Sequence, residues 1–245
     1  MKDPQGVQRF EMQSVDSAPE SPGLYAWYIE FQAGRRDWEM RVEGGRDSAV
    51  DGFSEILQRF ETQHEDVPIE LGGRSSYDTA WIGSLRKLEK SANQVTDVDR
   101  AEDSRHEAAF DPLDESLRSV DSVDSEGKRQ LYTNLLRAAT PVFAAPAYIG
   151  VTDNLKNRLT THRRDFARAS EWIREHPGDA ERMRASGKTF GSRAAARGIA
   201  LENLTVWVLN AAEIDPQATD VQLRQVAGSA ENLLHRIFAP VLGRR

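Results

Sequence analysis

The run Tyr148–His162, YIGVTDNLKNRLTTH, constrains this chain more than any other stretch. Pro146 precedes a short aromatic and β-branched segment, Ala147–Val151, which predicts a strand. A polar turn follows. Leu155, Leu159, His162 and Phe166 then recur at helical spacing, predicting a helix over about 154–176 with Asp153 or Asn154 as its N-cap. Arg158 and His162 are four residues apart and share a helix face, and Tyr148 sits on the strand that feeds the same turn. A Tyr, an Arg and a His thus converge beside a helix start, where backbone N–H groups favour an anion. The set suits a phosphodiester: arginine brings a permanent charge and a planar donor fork, while His and Tyr can move protons.

Elsewhere the pattern gives a strand at Gly23–Ile29 after Pro22, a possible return strand at 37–43, and a helix over 51–62 from Phe53, Ile56, Leu57 and Phe60. A helix is expected at about Lys128–Ala139, a strand at Leu204–Leu209, and a last helix over about Asp220–Phe238. Residues 92–127 are dense in Asp, Glu and Ser and read as a flexible acidic excursion. Trp172, Trp207 and Phe238 read as core. The expected fold class is mixed α/β.

With no cysteine, disulfides and thiolate metal sites are excluded, so any metal must be held by Asp, Glu, His or backbone oxygen. No apolar run reaches the roughly 20 residues that span a bilayer, and the N-terminus has no apolar leader core, so a cytoplasmic location without membrane contact is expected. The net charge of −7 is uneven. Residues 140–245 hold 15 Lys and Arg against 11 Asp and Glu, whereas residues 1–139 hold 17 against 28. Only the C-terminal part could face phosphates.

Gly23-Leu24-Tyr25, then Tyr148-Ile149-Gly150 with the run after it, and finally the segment AENLLHRIFAPVL resemble the GIY-YIG nuclease family. Arg158 falls at the family's catalytic arginine. His162 stands where certain restriction endonucleases of the family have His and other members have Tyr. Glu231 is similar to the metal-binding glutamate of the family's late helix, with Glu202 as the competing carboxylate. The resemblance covers roughly residues 21–29 and 146–242. It implies a small central β-sheet flanked by helices, in a single domain over 1–245. Residues 30–145 would be a large, mainly helical insertion between the two motif strands. It implies a divalent-metal-dependent endonuclease acting on DNA, plausible in restriction or anti-phage defence, with Tyr25, Tyr148, Arg158, His162 and Glu231 as its catalytic residues. Glu231 would ligate one Mg²⁺ or Mn²⁺ per site. A tyrosine phenolate, or the tyrosine pair, would activate the attacking water, and His162 would hydrogen-bond a tyrosine or relay the proton.

The chain departs from the family at two points. The two motif strands are usually joined by a short hairpin. The terminal motif usually carries an Asn after its Pro, whereas here the segment is Pro240-Val241-Leu242-Gly243, with Asn232 or Asn210 as candidate substitutes. Ala80-Trp81-Ile82-Gly83-Ser84 imitates the second motif but offers Trp for Tyr, and reads as a strand of the insertion.

Arg163, Arg164, Arg168 and Arg174, with Lys188, Arg193 and Arg197, could line a nucleic-acid backbone track; a solvated helix face is the alternative. Other functional readings are a non-catalytic nucleic-acid-binding module that keeps the fold, or an RNA-cutting toxin-like nuclease. DNA is favoured over RNA as partner. A homodimer, which would serve cutting of both strands, or a partner protein bound through the insertion is the further partner expected.

Overall fold

The computed structural model describes residues 6–65, 69–74, 82–87, 123–215 and 217–243. The elements in chain order begin with β1 (Val7–Glu11), a 3₁₀ turn at Met12–Ser17, β2 (Gly23–Ile29), α1 (Arg35–Trp38), β3 (Val42–Glu43), β4 (Arg46–Asp47) and α2 (Ala49–His64). They continue with β5 (Ile69–Arg74), β6 (Ile82–Lys87), α3 (Glu126–Phe143), β7 (Tyr148–Thr152) and α4 (Leu155–Glu175). The last are α5 (Asp179–Ser186), α6 (Phe190–Ala196), β8 (Leu204–Asn210), α7 (Ala211–Ile214) and α8 (Asp220–Phe238).

The fold is mixed α/β. Its centre is a four-stranded sheet in the order β1-β8-β2-β7, antiparallel throughout. The strands that carry Gly23-Leu24-Tyr25 and Tyr148-Ile149-Gly150 are therefore neighbours, although more than a hundred residues separate them in sequence. Burial along β2 alternates with period two, so Tyr25, Trp27 and Ile29 point to one face. In register, Tyr25 lies opposite Gly150 and Trp27 opposite Tyr148, which brings Tyr25 and Tyr148 onto that same face.

The helices that cover this face explain its core. Along α4, Leu155, Leu159, His162, Phe166 and Ala169 are buried, a single stripe at three- and four-residue spacing. They pack with Trp27, Val206 and Val208 from the sheet, Phe190 and Ala194 from α6, and Met12 and Val15 from the 3₁₀ turn. Asn154 caps α4, its side-chain oxygen accepting from the Asn157 N–H at 2.9 Å. The last helix, α8, lies on β7, the edge strand, and on β2. His235 joins it to β7 through Nε2 and the Ile149 carbonyl, 3.0 Å apart.

The segment between the motif strands builds a second buried cluster: Phe31, Phe53, Leu57 and Val123, packed with Trp38, Tyr132 and Leu136. Its centre is Arg129, which is fully buried. The guanidinium donates to the carbonyls of Trp38 and Val123 and to the Asp47 carboxylate at 2.9 Å. A buried arginine needs such partners, since each unpaired donor would cost desolvation energy.

The expected strand at 37–43 forms only at Val42–Glu43, after a helical turn at Arg35–Trp38. It ends there because Gly44 and Gly45 take φ of 59° and 83°, the left-handed pair that closes a two-residue hairpin onto Arg46–Asp47. Strand β1 had no counterpart in the sequence reading. It is an edge strand with only Val7 and Phe10 as large apolar residues, so it carries little pattern. Ile82–Lys87 of the imitation motif is a strand paired with Ile69–Arg74, while Ala80 and Trp81 lie outside the described residues. Most of the acidic stretch 92–127 also lies outside them. No described helix is long and apolar enough to cross a membrane.

Candidate active site

The site forms where β2, β7 and the first turns of α4 meet. The Tyr25 hydroxyl lies 2.9 Å from His162 Nε2, and Arg158 Nε donates to the same oxygen at 3.2 Å. Room for this arrangement comes from Gly150, since a Cβ at that position would overlap the Tyr25 ring and hydroxyl. The glycine of the second motif is thus a steric requirement of the tyrosine of the first.

Tyr25 is only 2% exposed, whereas Tyr148 is half-buried. Their ring centres are 6.1 Å apart. Burial, and next the neighbouring Tyr148, push the Tyr25 pKa upward, and Arg158 pulls against that rise. At rest Tyr25 is therefore a phenol.

His162 is equally enclosed, ringed by Trp27, Phe190 and Tyr148, with its Nδ1 buried and without a hydrogen-bond partner among the described residues. Burial first, then the charges of Arg158 and Arg193, push its pKa down to about 3. The ring is accordingly neutral at ordinary pH. Arg158 fills one lone pair of the Tyr25 oxygen, and the neutral Nε2 is placed to accept the Tyr25 proton in a hydrogen bond.

Glu231 lies on α8, the helix that packs against β7. It is half-buried; burial raises its carboxyl pKa, while His235 and Arg158 pull it back. Its carboxylate lies 3.8 Å from His235 Nε2. No group of three or more His, Asp or Glu able to hold an ion is present among the described residues. A lone carboxylate fits Mg²⁺, which commonly keeps several waters and takes one or two protein carboxylates. The competing Glu202 is exposed in a 3₁₀ turn before β8, whose first residue pairs with Ile29 at the far end of β2 from Tyr25.

Tyr25, Tyr148, Arg158 and His162 therefore come together, and Glu231 lies on the helix that packs against β7. Three further residues border the site. Phe190 packs against Trp27, Tyr148 and His162 and closes the floor of the site. His235 anchors α8 to β7, with its ring 6.3 Å from Tyr148; its position four residues after Glu231 on the same helix was the available signal. Gly243 sits in the tight turn beside the His235 ring, where a Cβ would be 3.3 Å from His235 Cε1. Neither candidate substitute for the missing Asn serves the site directly. Asn210 accepts from Ser21, donates to Glu213 and caps α7, and Asn232 is exposed.

The basic residues divide. Arg164 and Arg168 are exposed on α4, and Lys188 is exposed before α6. Arg163 is tied to Asp16 at 2.7 Å and to the Gln13 carbonyl. Arg197 donates to the carbonyls of Gln63 and Glu65. Arg193 donates to those of Leu242 and Gly187, and its guanidinium carbon lies 5.8 Å from the Tyr148 ring centre. These three hold the protein together in ways that an open phosphate track does not require. Arg174 faces Glu171 at 3.5 Å. Comparison with family models, with curated proteins and with solved structures gives no match.

Proposed function

We propose that the chain is a divalent-metal-dependent endonuclease of the GIY-YIG type that hydrolyses DNA, in restriction or anti-phage defence. The observation that carries this reading is the single Tyr25 oxygen shared by Arg158 and His162, with Tyr148 beside it and Glu231 on the helix that packs against β7. A structural arginine would not need two tyrosines, a neutral histidine and a half-buried carboxylate around it.

The burial of each group assigns its part. Tyr148, half-buried, is the tyrosine that a water can reach; Tyr25 is enclosed. Neutral His162 fixes the Tyr25 hydroxyl through Nε2. Tyr25 in turn orients Tyr148, and the proton taken from the water leaves on the solvent side. Arg158 spends one N–H on Tyr25 and offers the rest of its donor fork to the charge that grows on the phosphate oxygens. A divalent cation held by Glu231 would neutralise the leaving oxygen.

Plasmid DNA and an RNA of similar length, incubated with Mg²⁺ or Mn²⁺, test this reading. The protein is expected to cut DNA, and the cutting to vanish with EDTA, Arg158→Ala or Glu231→Ala. A folded protein that binds nucleic acid and cuts neither polymer would transfer the assignment to a binding module. Preference for the RNA would transfer it to a ribonuclease.

A further inference from the structure

Trp172, expected in the core, is 47% exposed. The buried stripe of α4 passes beside it through Ala169 and Ile173. Trp172 follows Arg158 by two heptads, which puts both on one side of the helix, roughly 21 Å apart along its axis. The indole is held in place: its N–H donates to Asp179 at 3.0 Å, and its ring stacks on His176 with centres 4.2 Å apart and planes 19° from parallel. Trp172 then forms one wall of a hollow of about 310 Å³, completed by Asp179, Arg182, Met183, Gly187, Lys188 and Ser192.

This hollow touches the catalytic face through one side chain. Arg193 donates to the Gly187 carbonyl on the wall of the hollow at 3.0 Å, and the same guanidinium lies over the Tyr148 ring. A fixed indole, two cationic side chains and a hydroxyl around one concavity match the two parts of a nucleotide. The base has a π-face to stack, and the phosphate has charge and oxygens to be met.

We propose that this hollow is a nucleotide subsite for an unpaired residue of the substrate strand, its base against Trp172 and its phosphate against Lys188 and Arg182. A paired base is stacked inside its duplex and cannot reach an indole in a recess, so the occupant is single-stranded or flipped out. The inference rests on the nuclease reading and sharpens it: the preferred substrate carries an unpaired segment near the cut.

The test uses the full chain with Glu231→Gln, so that binding is read without cutting. Fluorescence anisotropy is measured with labelled oligo(dT), oligo(rU) and a blunt duplex, alone and with Trp172→Ala, Trp172→Phe or Lys188→Ala added. Trp172→Ala is expected to weaken single-strand binding at least about fivefold and Trp172→Phe less, because a ring remains. Lys188→Ala is expected to weaken it and to flatten its salt dependence. The duplex affinity stays the same, and the ratio of the two single strands separates a DNA from an RNA occupant. Unchanged single-strand affinity in Trp172→Ala and Lys188→Ala, or no single-strand binding by the parent, overturns the proposal. DNA cutting by the wild-type chain with unchanged Trp172→Ala binding removes the subsite alone. Trp172-dependent binding without any cutting removes the nuclease reading alone.

Discussion

The Tyr25 hydroxyl and His162 Nε2 lie 2.9 Å apart inside the core, and Arg158 donates to the same oxygen. The pair couples folding to pH. The folded His162 pKa is depressed to about 3, whereas an unfolded histidine titrates near ~6.5. Between those values the unfolded chain binds a proton that the folded chain does not, so stability is full above about pH 6.5 and falls as the pH drops. Urea unfolding at pH 7, 6 and 5 should show wild type losing up to about 1.4 kcal/mol per unit more than His162→Gln. Equal acid slopes in the two proteins would show that His162 is not held neutral by its burial.

Removing the two tyrosine hydroxyls separates structure from chemistry. Tyr25→Phe strips His162 Nε2 and Arg158 Nε of their shared partner, and should cost about 1–3 kcal/mol of stability. Tyr148→Phe, on a half-buried ring, should cost less stability while abolishing cleavage as fully. Thermal unfolding beside cleavage rates gives both numbers for each variant, and equal stability losses would contradict the different placement of the two rings.

Gly150→Ala places a methyl group where the Tyr25 ring and hydroxyl lie. One of the two must move, and the core that encloses Tyr25 gives it nowhere to go. The variant should be destabilised and inactive. With Tyr25→Ala already present, Gly150→Ala should cost much less stability than it does in the wild type, because the clash is gone, although the lost ring leaves the double variant destabilised and inactive. Additive losses in the pair would remove the steric account of this glycine.

Arg129→Ala leaves two backbone carbonyls and the Asp47 carboxylate without their donor, a change that should cost about 3–5 kcal/mol. Limited proteolysis should then cut within residues 30–145 before it cuts the central sheet. Cleavage sites spread evenly over the chain would show that Arg129 stabilises more than the segment in which it sits.

What the sequence made legible follows from how local each signal is. The helices with strong periodicity, 155–175 and 220–238, and the strands near 23–29, 148–152 and 204–210 could be read because their apolar spacing is set within a few residues. The edge strand at Val7–Glu11 and the hairpin around Gly44-Gly45 could not, since a few polar residues and two glycines carry almost no periodicity. Within the site, spacing placed Arg158 and His162 on one helix, and resemblance brought in Tyr25 and Glu231. The protonation states were hidden, because they depend on burial among Trp27, Phe190 and Tyr148, which no local pattern records. Arg129 and Trp172 show the same limit in opposite senses: an arginine read as nothing in particular lies at 0% exposure, and a tryptophan assigned to the core lies at 47%.

The most direct measurement is the single-turnover rate of DNA cleavage at saturating Mg²⁺ for wild type and Arg158→Ala, with the fold of each verified by circular dichroism. Arg158 contacts Tyr25 and keeps further donors for the phosphate, so its loss should slow the chemical step by about 10²–10³-fold, the scale of removing one transition-state donor, and leave DNA affinity nearly unchanged. Arg158→Ala cutting at the wild-type rate, or a folded wild type that does not cut at all, would contradict the assignment of this cluster as a nuclease site.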